Sequence, residues 1–181
     1  MQVKENQDRC DEISEIILHR AQMIYYFAYG TNMDREYLDC WCKQRALPKV
    51  EFLSIFPVKL NDYKLVFNYF SATWKAGTAN IMKSAEDCVY GLLLEIEDDL
   101  KTIRKKEGHP RYYKEIPVSI EKSDGTVVEG VKTYKVLKEK EKSNHQPPTK
   151  QYINLIIKNA IKYKFPSEYI TFLGSIKTKR R

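Results

Sequence analysis

The stretch Ile24 to Asp34, IYYFAYGTNMD, constrains this chain more than any other. Its first six residues are apolar or aromatic without interruption, which suits a buried strand. The run stops at Gly30, and Thr31, Asn32, Met33 and Asp34 suit a tight turn that opens a helix. A strand ending in a glycine turn leaves backbone N–H groups unpaired and pointing the same way. Such a turn can hold a carboxylate or an oxyanion. A second stretch, Glu107-Gly108-His109, sets one carboxylate beside a glycine at the end of a charged segment. An anion-holding loop and one carboxylate suffice for acid–base chemistry on a small acid substrate.

The rest of the chain builds a frame around those two stretches. At 181 residues, one domain is expected over 23–175, with an extension over 1–22 and a basic tail over 176–181 that is expected to be disordered. Ile13, Ile16 and Ile17 give the extension one apolar face of a short helix. Strands are expected at 23–29, 51–56, 59–69, 78–82, 88–96, 112–121 and 126–136. Their breaks fall at Pro57, at Asn61-Asp62 and over Lys83 to Asp87. Ser123-Asp124-Gly125 is a hairpin signal. Asn32 or Asp34 is placed to cap a short helix through Tyr37 and Leu38.

Further along, 97–106 reads as a helix with acids at its start, Leu100 and Ile103 inward, and Gly108 as its C-cap. Pro147-Pro148-Thr149 opens a helix in which Tyr152, Leu155, Ile156, Ala160 and Tyr163 recur at spacings of three and four. Pro166 starts a last short helix, 167–173. Short strands with few helices between them predict an α+β domain. Its form is a small, mostly antiparallel barrel or curled sheet flanked by helices. A partly open barrel would leave exposed edges, and on that ground a homodimer is considered.

Composition narrows the function classes. Hydrophobic residues make up 43% and charged residues 30%. No apolar run approaches the ~20 residues a membrane span needs. The segment 1–22 has no continuous apolar centre and does not read as a secretory signal, so a cytoplasmic protein is expected. Cys10, Cys40, Cys42 and Cys88 form neither a zinc pattern nor a disulfide framework, and His19, His109 and His145 are scattered. No metal site and no cofactor are expected. The net charge of +7 is spread among acids, as in Lys138-Glu139-Lys140-Glu141-Lys142, which reads as a solvated face rather than a nucleic-acid stripe.

Several motifs in order carry a family resemblance. They are YFAYGTNM (Tyr26 to Met33), Gly77-Thr78-Ala79-Asn80-Ile81, VYGLLLEI (Val89 to Ile96), Lys106-Glu107-Gly108, PPTKQY (Pro147 to Tyr152) and FPSEYITFL near the end. Together they resemble the gamma-glutamylcyclotransferase, or AIG2-like, family over residues 24–173. Thr31 stands where the family usually has serine. The resemblance implies a cofactor-independent enzyme acting on a small gamma-glutamyl substrate. The substrate's own alpha-amine attacks the gamma-carbonyl, giving 5-oxoproline and a free amino acid or amine. Closing a five-membered ring is intramolecular, so much of the entropic barrier disappears once the substrate is held bent.

The resemblance also implies roles. Glu107 matches the catalytic glutamate, taking a proton from the substrate ammonium and returning one to the leaving nitrogen. The backbone of Tyr29, Gly30, Thr31 and Asn32 holds the glutamyl end. Tyr26, Phe27 and Ala28 lead the strand into that loop. Tyr113 and Tyr152 match aromatic substrate contacts. Taken singly, each has a plainer reading: a turn glycine, a solvated acid at a helix end, a tyrosine on an amphipathic helix. Arg104, Lys105 and Lys106 surround Glu107 in sequence, and cations reaching it would lower its basicity. Trp74 reads as a lid residue or as part of a packed loop. The alternative to an enzyme is a non-catalytic small-molecule binding member of the same fold, against which the retained Glu107 argues.

Overall fold

The computed structural model describes residues 23–96 and 100–180. The expected extension helix, over 1–22, and the acids Glu97, Asp98 and Asp99 lie outside the described residues. Five strands, β1 (Ile24–Ala28), β2 (Phe52–Ser71), β3 (Ala76–Ile96), β4 (Tyr113–Lys122) and β5 (Val127–Val136), close into a barrel in the order β1-β3-β2-β4-β5. All pairings are antiparallel except β1 with β5, which run parallel at Tyr26 and Lys132. Four helices flank it among the described residues: α1 (Arg35–Lys43), α2 (Lys101–Glu107), α3 (Lys150–Lys162) and α4 (Ser167–Ser175). This is the expected α+β architecture. Closure removes the exposed-edge ground on which a homodimer was considered.

The expected breaks in the strands turn out to be irregularities inside one long hairpin. Asn61 pairs with Cys88 and Tyr63 with Lys83, so Asp62 on β2 faces the four residues Ser84 to Asp87 on β3. Asp62 (φ 59°) and Glu86 (φ 67°) take the left-handed conformation there. The turn residues thus bend the ladder without ending it, as bulges do. Pro57 sits opposite Leu92 at an exposed position, one residue before β4 begins to pair at Val58. A proline without an N–H is tolerated where no neighbouring strand needs it.

β1 is the central buried strand. Tyr26, Phe27 and Ala28 are all buried, with Phe27 and Ala28 fully so. They join Leu38, Leu60, Ile81, Leu92, Leu93, Leu94, Ile96, Ile103, Ile120 and Tyr134 in one core. At Gly91, β3 passes close against β1. A Cβ there would lie 2.5 Å from the Ala28 carbonyl oxygen and 2.5 Å from the Phe27 ring.

The helices begin where their chemistry sets them. Asp34 caps α1, its Oδ1 accepting from the Tyr37 N–H at 2.8 Å, while Asn32 is left for another role. Thr149 caps α3 by accepting from the Tyr152 N–H at 3.1 Å. α2 begins later than expected, because Leu100 takes a left-handed turn (φ 62°) to bury its side chain. Gly108 (φ 63°) ends α2 in the expected C-cap conformation. The described tail is ordered, contrary to expectation. The Lys179 N–H donates to the Pro148 carbonyl at 2.8 Å, and the Lys177 carbonyl lies 2.9 Å from His145 Nε2.

Candidate functional site

One end of the barrel gathers the ends of several elements around a cavity of about 510 Å³. β1 delivers Tyr26 and Tyr29, and the 3-10 turn after it delivers Thr31 and Asn32. The start of β3 contributes Thr78 and Ala79, the last residues of α2 contribute Lys106 and Glu107, β4 opens with Tyr113, and α3 brings Tyr152. The β2–β3 turn hangs over the opening, with Trp74 edge-on to Tyr152 at 4.9 Å and tilted against Tyr37 at 5.7 Å. The volume is that of a small-molecule site.

Glu107 is half-buried in the cavity wall. Burial raises its carboxyl above the ordinary range, against the opposing pull of the Lys106 ammonium and of hydrogen bonds from Asn32 and Tyr26. Asn32 Nδ2 donates to Glu107 Oε1 at 2.6 Å and to Tyr26 Oη at 2.9 Å. Of the three cations next to Glu107 in sequence, only Lys106 turns inward. Arg104 pairs with Glu115 at 2.9 and 3.2 Å, and Lys105 is exposed at the cavity mouth. Burial therefore outweighs the cations, and the carboxylate is a stronger base than a solvated one.

The tyrosines form a rigid wall. Tyr152 Oη accepts from the Ala79 N–H at 3.0 Å, and Tyr113 Oη donates to the Ala79 carbonyl at 3.1 Å. Both ends of one β3 residue are thereby held by cavity tyrosines. Tyr29 Oη donates to the Tyr134 carbonyl at 2.6 Å. Burial pushes the hydroxyls of Tyr26, Tyr29, Tyr113 and Tyr152 upward, so all stay protonated and neutral.

Gly30 lies at the cavity edge with φ −118°, which any residue adopts. A Cβ there would stand 3.5 Å from Tyr152 Oη and 3.9 Å from the Ala79 Cβ, both ordinary contacts. Its lack of a side chain keeps space open beside Tyr152. In the turn itself, the Met33 N–H donates to the Gly30 carbonyl at 3.1 Å and the Asp34 N–H to Thr31 at 3.1 Å. The amides of Gly30, Thr31 and Asn32 are not used by those bonds, as at the start of any helical turn. Gly77 is a glycine of another kind. A Cβ there would fall 1.7 Å from the Gln146 carbonyl oxygen, where the segment leading into α3 crosses β3.

Most residues anticipated from the sequence converge here. Glu107, Tyr26, Tyr29, Gly30, Thr31, Asn32, Tyr113 and Tyr152 all line the cavity. Phe27 and Ala28 do not. They are fully buried in the core, and the Phe27 carbonyl accepts from Thr133 Oγ1 at 2.9 Å. The Phe27 ring and the Ala28 carbonyl lie against Gly91 of β3, and a single methyl is all that Ala28 could offer the cavity. Reading the sequence missed Lys106 as a cavity residue, and it missed Tyr37, Tyr69 and Tyr134. Nothing in the sequence marks those tyrosines, whereas Lys106 stood beside Glu107 in plain view. Among the described residues, no group of three or more His, Cys, Asp or Glu side chains is placed to hold a metal ion. No described helix is long and apolar enough to cross a membrane.

Comparison with known proteins bears on this site. The model of the AIG2-like family matches residues 88–173, a span holding Glu107, Tyr113 and Tyr152. A gamma-glutamylcyclotransferase of Bos taurus is 29% identical over 164 residues, 86% of this chain and 80% of the bovine one. A solved structure named gamma-glutamyl cyclotransferase superposes with a TM-score of 0.72 at 25% identity, covering 88% of this chain and 90% of its own. A yeast gamma-glutamyl cyclotransferase specific to glutathione shares the fold alone, at 10% identity and a TM-score of 0.57, over 83% of this chain and 93% of its own. In sequence and in fold, this chain is therefore similar to the gamma-glutamylcyclotransferases and to the AIG2-like family.

Proposed function

We propose that this protein is a gamma-glutamyl cyclotransferase, releasing 5-oxoproline and a free amino acid from a gamma-glutamyl amino acid. The observation that carries the reading is Glu107. It is a carboxylate of raised basicity at the wall of a small-molecule cavity, held in place by Asn32 and Tyr26.

The substrate's glutamyl end sits against the amides of Gly30, Thr31 and Asn32. Glu107 takes one proton from the alpha-ammonium. The freed amine attacks the gamma-carbonyl carbon, and the new ring C–N bond forms. Glu107 gives its proton to the leaving nitrogen as the old C–N bond breaks. The second proton on the ring nitrogen returns to the carboxylate and departs with the released amine. The four protons of the ammonium and the amide reappear as one on the lactam and three on the product ammonium, and no water is consumed. An enclosed site holds the substrate bent and lends the carboxylate the basicity this transfer needs.

The charges at the cavity support an amino-acid leaving group over an amine. Arg45, Lys105 and Lys106 line it against one carboxylate, Glu107. A leaving group of net negative charge, such as alanine with its carboxylate, is drawn to that excess of positive charge, whereas in gamma-glutamyl-lysine the free ammonium of the lysine part offsets its carboxylate and weakens that attraction.

The test is 5-oxoproline release from gamma-glutamyl-alanine, glutathione and gamma-glutamyl-lysine, by wild type and by Glu107→Gln. Release from gamma-glutamyl-alanine should dominate and fall by roughly 10²–10⁴ in the variant, the usual contribution of a positioned acid–base group. No release from any substrate by folded protein would leave a non-catalytic binding role. Equal rates in wild type and variant would remove Glu107 from the mechanism.

A further inference from the structure

Of the cations that line the cavity, Lys106 is the one bonded to the turn after β1, and its contacts are unusual for a lysine on a surface helix. Its Nζ donates to Asn32 Oδ1 and, at 3.4 Å, to Thr31 Oγ1, and it lies 4.8 Å from the centre of the Tyr37 ring. An ammonium can only donate. Facing Lys106, the Asn32 carboxamide must therefore present its oxygen. Its NH2 is then turned the other way, where its two N–H groups meet Glu107 Oε1 and Tyr26 Oη. Were the amide reversed, it would set an N–H against an ammonium and an oxygen against a carboxylate, two repulsions in an enclosed space.

We propose that Lys106 is a positioning residue of this site: through Asn32 it fixes the donors that hold Glu107, and its charge sets how readily Glu107 takes a proton. The inference rests on the reading of Glu107 as the proton acceptor. It concerns no substrate contact by Lys106 itself.

The surroundings make the coupling tight. Burial lowers the Lys106 ammonium to about 8, with the charges of Glu107 and Cys42 opposing that fall and Arg45 adding to it. Tyr37, Cys42 and Arg45 face Lys106 from α1 and the turn after it. Around Glu107 stand Tyr26 and Tyr29 from the β1 end, Tyr113 from β4, Tyr134 from β5 and Tyr152 from α3, all with hydroxyls pushed upward. Lys106 is the cation whose charge lowers the Glu107 carboxyl among the causes acting on it. The sign follows. Removing the positive charge raises the carboxyl further, so the carboxylate form exists only above a higher pH.

The experiment is the pH dependence of kcat/KM for gamma-glutamyl-alanine in wild type, Lys106→Gln, Lys106→Arg and Glu107→Gln, with a thermal melt of each. The same substrate is used throughout, so its own titration is common to all profiles. Lys106→Gln should move the acid limb up by roughly 1 pH unit or more, the usual effect of losing an adjacent opposite charge. It should lower kcat with little change in KM. Lys106→Arg keeps a donor-only cation and should restore the wild-type limb. A rise in KM with an unmoved limb in Lys106→Gln would overturn the proposal and make Lys106 a substrate anchor. Should Lys106→Gln fail to fold, Lys106→Arg with a displaced acid limb would overturn the proposal, and an unmoved limb would support it. Undiminished turnover in Glu107→Gln would sink the underlying reading instead, whatever the lysine variants do.

Discussion

At Glu107, the side chain's usefulness comes from a conflict between burial and charge. Burial raises the carboxyl, while Lys106, Asn32 and Tyr26 pull it down, and burial prevails. Because the mechanism needs the carboxylate form first, activity should fail as pH drops through that raised value. The acid limb of kcat/KM is therefore expected above the ordinary glutamate range of about 4.3. A limb at or below that range would mean that solvent or the cations govern the carboxylate, and the profile is read directly from initial rates of 5-oxoproline release. The sequence showed Glu107 and the cations beside it but not which way each turns. Arg104 is drawn to Glu115 and Lys105 to solvent, and both partners of that choice lie on other elements or outside the chain.

At the level of elements, the site depends on α1 and α3 being held together under the turn after β1. Asp34 does this with both oxygens. Oδ1 caps α1 at the Tyr37 N–H, and Oδ2 accepts from Asn159 Nδ2 of α3 at 2.9 Å and pairs with Lys158 at 3.2 Å. Burial alone would raise the Asp34 carboxyl, but the Tyr37 amide, Asn159 and Lys158 together hold it below its ordinary value. A depressed carboxyl contributes stability above the unfolded-state range and loses it as pH falls through the folded value. Asp34→Ala should cost about 1–3 kcal/mol at neutral pH, a lost cap plus an unsatisfied buried amide. The deficit should shrink in strong acid, where wild type also loses the carboxylate. Urea denaturation at neutral and at strongly acidic pH measures both, and a deficit that does not shrink would show that the charge contributes little. The cap was legible in the sequence as Asn32 or Asp34. The choice between them was not, because Asn32 is claimed by Glu107, 75 residues away.

For the whole molecule, barrel closure and site assembly are one event. β1 is pinned between β3 and β5, and its end becomes the loop that faces Glu107. Gly91→Ala drives a Cβ into the Ala28 carbonyl and the Phe27 ring, so β1 must move away from β3. A loss of about 1–3 kcal/mol is expected from such overpacking, with weakened substrate binding in the fraction that remains folded. A melt and a KM measurement decide it; normal values for both would show that β1 and its loop adjust independently of the barrel. The sequence by itself determined what is local. It set the buried run of β1, the Ser123-Asp124-Gly125 hairpin, the Thr149 cap and amphipathic face of α3, and the left-handed stop at Gly108, since each follows from the preferences of neighbouring residues. Only the tertiary structure decided the rest. Turn residues at Asn61-Asp62 and 83–87 became bulges because two long strands gain more by staying paired than by ending. The tail docked because Pro148 and His145 offered it partners. Lys106 turned inward to meet an asparagine delivered by a strand far away in the chain. Those outcomes balance contacts between distant segments, and no window of sequence contains both sides of such a balance.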